Sequence, residues 1–327
     1  MTNKHNTILE IGSGSFKLHQ EGAFTRKFQS ALGKDMKGEE IAASSLEIAF
    51  DSLLNQIMPF LEEQKISPQE VLVFATAAVR SSFGSPLNSL DFTELGPKEI
   101  ETQYNEANKK NTGPKLIIKL KELGFQKIKV FSTNDECLHA GLAVVEEFKT
   151  NKAKLQNYAI LDTGGASHQL MEVKDGDLAK QISIPIGSHL SLEEDRKILL
   201  AEEVTDELRQ NTDSLLPSFV DLGFSRQETI VCIGTTGTII SNIPDLDMFQ
   251  LKSLIGNITI RSIEERRAML ESLITDEEVR KLFVDFRLQI MPNSLTIIYN
   301  AVKNLGATNI ISSSNQAMNF VSKNGFN

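Results

Sequence analysis

The chain has 327 residues, 40% hydrophobic and 24% charged, which supplies core for about two domains and excludes a disordered chain. Its net charge of -9 argues against the basic footprint of a dedicated nucleic-acid binder, while leaving room for a local site that takes a small anion. Two distant cysteines, Cys137 and Cys232, form neither a disulfide framework nor a zinc site, and the absence of tryptophan argues against an aromatic base-stacking platform.

In chain order, the polar start Met1–Thr7 shows no signal peptide. Thr7–Ile11 reads as a strand, Gly12-Ser13-Gly14 as a tight turn and Ser15–His19 as the returning strand, with a third strand over Thr25–Ala31. Apolar residues at Ile41, Leu46, Ala49, Leu53, Ile57 and Leu61 predict a helix over Glu39–Gln64, kinked late by Pro59. Val71–Ala75 is a continuous apolar run, as expected of a strand buried on both faces. The longest nearly apolar run, Val71–Val79, is too short for a bilayer, so a cytoplasmic protein with no membrane partner is expected. Phe83–Thr112, rich in Gly, Pro and Asn, predicts loops with one short helix. A helix follows over Gly113–Leu123, then a strand over Lys127–Phe131, then a helix capped by Thr133 or Asn134.

Past a polar stretch at Lys149–Gln156 the opening theme returns. Tyr158–Leu161 is a strand, Asp162–Ala166 a turn and Ser167–Met171 a returning strand, and Asp175-Gly176 turns the chain into Leu178–Ile184. Leu9–Leu18 and Leu161–Leu170 match at Leu9/Leu161, Gly12/Gly164, Ser15/Ser167 and Leu18/Leu170, with an acid, Glu10 or Asp162, second in each. Helices are predicted over Ser191–Asp221, Thr236–Asn242, Ser262–Leu273, Glu277–Leu282 and Asn293–Leu305, with strands at Glu228–Ile233 and Thr308–Ser312. The whole is an α/β chain of two related halves. The first domain is drawn at 1–124, the second at 125–305, with a C-terminal helix at about 306–327 packing back on the first.

Five segments carry candidate chemistry. In the two glycine turns, backbone N–H groups converge on an anion without Cβ interference, and Ser13, Ser15 and Ser167 add hydroxyls. Asp162 ends its strand beside such a turn, where a divalent metal would bridge carboxylate and phosphate. Taken singly, both are equally ordinary hairpins. Gly234-Thr235-Thr236-Gly237-Thr238 lies between strand and helix, an anion site by dipole and free donors, or simply a cap made by Thr235 or Thr236. Arg80, after the strand that ends at Thr76, offers a bidentate phosphate clamp or a salt bridge. Asn134-Asp135-Glu136 opens a helix, where a carboxylate complements the dipole or, in a phosphate site, activates water.

Together and in this order the segments resemble the exopolyphosphatase / guanosine pentaphosphate phosphohydrolase (Ppx/GppA) family of the actin-like ATPase superfold. The family's D-x-G-S-N-S-F is similar to Glu10–Phe16 here, T-x-A-x-R to Thr76–Arg80, S-G-x-E-E to Ser132–Glu136, D-x-G-G-G-S to Asp162–Ser167, and G-x-S-G-T to Gly234–Thr238. The resemblance implies two actin-like (ribonuclease H-like) domains with a cleft between them, and hydrolysis of a terminal phosphoanhydride of polyphosphate or guanosine pentaphosphate. It implies Glu136 as the catalytic base and phosphate contacts at Ser13, Gly14, Ser15, Arg80, Gly164, Gly165, Ser167, Thr236 and Gly237. It also implies Mg2+ held by Asp162 and Glu10, with Lys17 adding positive charge. A homodimer is the expected assembly for a cytosolic protein of this size.

The chain departs from the family at four places. Glu10 replaces Asp, Gln169 replaces a carboxylate, Leu138 replaces an arginine, and Ser312–Asn319 has lost the pattern S-D-G-x-x-R-E-G. Two rivals therefore stand beside the hydrolase: a degenerate homologue that senses polyphosphate or an alarmone nucleotide, and a kinase of the same superfold.

Overall fold

The computed structural model describes residues 6–34, 36, 39–105, 112–150, 155–164, 167–184, 219–244, 246–313 and 316–326. It divides into two compact units, Met1–Ala140 with Ala317–Asn327, and Gly141–Gln316.

In the first unit β1 (Ile8–Ile11), β2 (Ser15–Gln20) and β3 (Phe24–Gln29) form an antiparallel meander. β4 (Leu72–Ala75) runs parallel to β1, and β6 (Lys127–Val130) runs parallel to β4. β5 (Leu90–Asp91) pairs antiparallel with β6, giving the order β3-β2-β1-β4-β6-β5. All four residues of β4 are buried, the pattern of a strand covered on both faces. Its Val73 joins Leu9, Ile11, Leu46, Ala49, Leu53, Ile57 and Leu61 in one core.

The second unit repeats this order. β7 (Tyr158–Thr163), β8 (His168–Lys174) and β9 (Asp177–Ile184) form the meander, and β10 (Thr229–Ile233) and β11 (Asn309–Ser312) add in parallel beside β7, as β11-β10-β7-β8-β9. Asp175 and Gly176 both take positive φ, 53° and 80°, the backbone of a type I′ hairpin turn. The sequence repeat thus extends from one hairpin to a whole sheet. Both halves are α/β.

The structure revises several sequence expectations. The strand at 127–130, placed in the second domain from sequence, completes the first sheet through β4. Residues 306–327 are not one helix: β11 precedes the short helix Ala317–Asn324. That helix belongs to the first unit, where Ser322 Oγ donates to Asn6 O at 3.0 Å and Asn6 N donates to Ser322 O at 3.0 Å.

The long first helix starts at Ala43 rather than Glu39. It comprises α1 (Ala43–Ser52), a π-helical turn (Leu53–Ile57) and α2 (Met58–Glu63). Pro59 has no N–H and its ring would press on the carbonyl four residues back, and the wide turn just before it relieves that contact. The chain continues through α3 (Ala77–Ser81), α4 (Pro97–Asn105), α5 (Gly113–Glu122) and α6 (Thr133–Thr150). Past β10 come α7 (Gly234–Ser241), α8 (Met248–Thr259), α9 (Ile263–Leu273), α10 (Glu277–Arg280), α11 (Asp285–Leu305) and, last, α12 (Ala317–Asn324). Helix α8 was missed from sequence, although Asp247 and Gln250 form a complete capping box at its start. The helix expected over 191–221 lies outside the described residues except at 219–221, which form a turn.

Helix α11 keeps Pro292 in its interior, eight residues upstream of the expected start being helical as well. Proline leaves the carbonyl of residue 288 without its helical donor. Buried Arg266 supplies one: its Nη1 donates to Leu288 O at 2.9 Å and Gln289 O at 3.3 Å, and its Nη2 to Thr259 O at 3.2 Å. Among the described residues no helix is long and apolar enough to cross a membrane.

Candidate active site

In the first unit three of the five motifs sit at the carboxyl ends of neighbouring parallel strands, β1, β4 and β6. Open α/β sheets bind ligands at that edge. The turn after β1 is closed by Gly12 N donating to Ser15 O at 3.0 Å. A Cβ on Gly12 would stand 3.2 Å from that same oxygen, so a side chain there is resisted. Beside Gly14 the space is open. Ser15 opens β2, half-buried.

Two residues not singled out from sequence brace this turn. Ser30 Oγ donates to Gly12 O at 2.8 Å, and Gly33 N donates to Ser13 O at 2.7 Å. A Cβ on Gly33 would meet Ser13 Cβ at 2.9 Å, which explains the glycine. Ser-x-x-Gly just past the third strand is the only sequence signal they leave.

Ser13 Oγ accepts from Ala78 N at 3.3 Å and so joins the turn to the first turn of α3. Two residues on, Arg80 is 5% exposed and donates from Nη1 to Glu136 Oε2 at 2.6 Å and to Phe131 O at 3.2 Å. The guanidinium read as a phosphate clamp is thus engaged with the carboxylate read as the base. That contact ties Thr76–Arg80 to Ser132–Glu136. Helix α6 is capped by Ser132, not by Thr133 or Asn134: Ser132 Oγ accepts from Asp135 N at 3.1 Å. The α6 backbone is propped further by His139, whose ring stacks on Phe131 at 4.8 Å and whose Nδ1 lies 2.6 Å from Asp135 O. Burial holds the His139 imidazole below its ordinary pKa, against the upward pull of Asp135.

Glu10 faces Lys17 directly across β1 and β2, and Lys17 Nζ donates to Glu10 Oε1 at 2.9 Å. The acid read as a metal ligand therefore already has a cation on one oxygen.

In the second unit the same construction recurs. Gly164 N donates to Ser167 O at 3.0 Å, and a Cβ on Gly164 would come within 2.7 Å of that oxygen. Gly165 lies outside the described residues. Asp162 sits at the end of β7, in register with Ile233 of β10. Its Oδ1 lies 3.5 Å from where a Cβ on Gly234 would stand, so the carboxylate flanks the start of α7. That helix begins at Gly234, two residues before the expected Thr236, directly on the end of β10. Neither Thr235 nor Thr236 caps it. Ile233 is the N-cap, and it makes no side-chain capping bond. Its leading amides are the kind of donors that anions take.

Gly237 has a separate reason to be glycine, since its Cβ would lie 2.8 Å from Cys232 Cβ where α7 crosses β10. Gln169, opposite Asp162 as Lys17 is opposite Glu10, turns away to Ser167 Oγ at 2.9 Å. Leu138 is 36% exposed on α6, and Ser312 ends β11 bonded to Ser241 Oγ at 2.6 Å.

The Ppx/GppA phosphatase family matches residues 47–318 of this chain. No curated protein matches it. Among solved structures, the Ppx/GppA family member of Aquifex aeolicus is 17% identical, with a TM-score of 0.65 over 96% of this chain and 95% of that one. An exopolyphosphatase of Cytophaga hutchinsonii is 16% identical, with a TM-score of 0.69 over 96% of this chain and 95% of that one. An exopolyphosphatase-like protein is 17% identical, with a TM-score of 0.64 over 98% of both. At such identities the likeness is one of fold. The match across residues 47–318 goes further, and the chain belongs to the Ppx/GppA phosphatase family.

Proposed function

We propose that this protein is a phosphohydrolase that releases the terminal phosphate of inorganic polyphosphate or guanosine pentaphosphate, with Glu136 activating the attacking water. The observation that carries this reading is the Arg80–Glu136 pair, 2.6 Å apart and joined through α3 to the Ser13 turn. An arginine on a carboxylate fixes its rotamer, and a base must be so positioned before water arrives. In this reading the amides of the turn at Ser13–Ser15 receive negative charge on a phosphoryl group, as preorganised donors do. In the second unit, the Ser167 hydroxyl and the first turn of α7 offer donors of the kind that phosphate oxygens take.

Mg2+ is the metal this chemistry calls for. Mg2+ is held by one or two carboxylates plus substrate phosphates, keeping several waters, so a large protein cage is not needed. Asp162, beside the α7 N-terminus, fits that role, whereas Glu10 shares its carboxylate with Lys17. Bound there, the ion would neutralise phosphate charge.

A second reading, a protein that binds these anions without cleaving them, draws on Gln169, whose amide stands opposite Asp162 in place of a carboxylate. Phosphate release by the purified chain from each substrate, with and without Mg2+, separates the two. Release supports the hydrolase. Thermal stabilisation by either substrate with no release refutes it and leaves the binding protein.

A further inference from the structure

Helix α6 opens on half of a capping box. Ser132 Oγ accepts from Asp135 N at 3.1 Å, the N-cap to N3 bond. The other half is a bond from the N-cap N–H to the N3 side chain, which Glu or Gln is long enough to reach. Asp135 stands at N3 here, one methylene shorter than the glutamate that completes such a box.

A hydroxyl from elsewhere in the chain spans the gap. Ser89 Oγ accepts from Ser132 N at 2.7 Å and donates to Asp135 Oδ2 at 2.5 Å. Ser132 Oγ donates to the same Oδ2 at 2.9 Å. The bond that a longer acid would make directly is relayed through Ser89, which lies 43 residues from Ser132, immediately before β5. The next residue after Asp135 is Glu136.

We infer that Ser89 is a positioning residue for Glu136, closing the cap of α6 and so fixing the backbone from which the base projects. The inference rests on the reading of Glu136 as the group that activates water. Arg80 holds the Glu136 carboxylate, and Ser89 holds the turn beneath it. Neither the irregular stretch 83–92 nor the shortened acid carries this role alone. Together they replace one side-chain contact with a tertiary one.

The test uses the full chain in four forms: wild type, S89A, S89T and the double variant S89A/D135E. Hydrogen–deuterium exchange over the first turn of α6 and phosphate release from polyphosphate are measured on each. S89A is expected to speed exchange there about five- to tenfold, the factor a helix cap confers. Its kcat should fall by a similar factor with KM unchanged. S89T keeps the hydroxyl and should behave as wild type. In S89A/D135E the longer acid reaches Ser132 N directly, so both exchange and kcat should recover.

Unchanged exchange in S89A, or no recovery in the double variant, overturns the tether. Faster exchange with unaltered kcat overturns the positioning role. A wild-type protein that releases no phosphate overturns the reading of Glu136 as base, and the positioning role with it, while exchange still reports on the cap.

Discussion

Glu136→Gln removes the charge that Arg80 faces and leaves an amide oxygen of equal reach in its place. The two side chains are 6% and 19% exposed, with Nη1 and Oε2 2.6 Å apart. A hydrogen bond to a charged group is worth about 1.5–3 kcal/mol and a neutral one about 0.5–1.5 kcal/mol, so the exchange costs about 1–2 kcal/mol. At about 2–4 °C per kcal/mol for a domain of this size, Tm drops by about 2–8 °C. Arg80 keeps its second bond, to Phe131 O at 3.2 Å, which limits the damage to the fold. Loss of a general base lowers turnover about 10²- to 10⁴-fold. The expected variant is therefore folded at room temperature and nearly silent in phosphate release from polyphosphate, read beside its thermal melt and far-UV circular dichroism. The contrasting variant, Arg80→Met, strands a mostly buried carboxylate and should cost more stability, toward about 3–5 kcal/mol. Undiminished phosphate release from folded Glu136→Gln would remove this carboxylate from the chemistry. A melt more damaged than that of Arg80→Met would refute the account of the pair.

Three further outcomes are expected. Gly164→Ala should lower Tm and the stabilisation conferred by added polyphosphate more than Gly12→Ala does, because the new Cβ meets backbone oxygen at 2.7 Å rather than 3.2 Å, and equal tolerance would refute the turn geometry. Burial lowers the His139 pKa below 6.5, so below that pH the unfolded chain takes a proton that the folded chain refuses, and stability is lost as pH falls. His139→Phe keeps a ring over Phe131 and should flatten this loss, up to about 1.4 kcal/mol per pH unit, between urea unfolding at about pH 7.5 and about pH 5.5; an identical slope would refute it. Arg266→Met strands Leu288 O and should cost about 1.5–3 kcal/mol in urea unfolding. Paired with Pro292→Ala, which returns a helical N–H to that carbonyl, it should cost about 1 kcal/mol less, and strict additivity would refute the coupling.

The chain's own pattern was enough to place both hairpins, the buried strand at 71–75 and the acid-turn repeat of Glu10 and Asp162, because alternation, glycine turns and apolar runs are local properties. What local pattern could not supply were contacts between residues far apart in the chain. Arg80 alone reads as a salt bridge before it reads as a phosphate clamp, but only the adjacency of β4 and β6 brings it 2.6 Å from Glu136. Lys17 and Glu10 are seven residues apart, and their pairing depends on the register of β1 with β2. Ser30, Gly33 and Ser89 carried no motif, since their partners are set by the packing of loops at the sheet's carboxyl edge. The boundary expected at 124 failed for the same reason: strand pairing is a nonlocal choice, and β6 finds its hydrogen bonds on β4. Local sequence names the chemical groups, and tertiary pairing decides which of them meet.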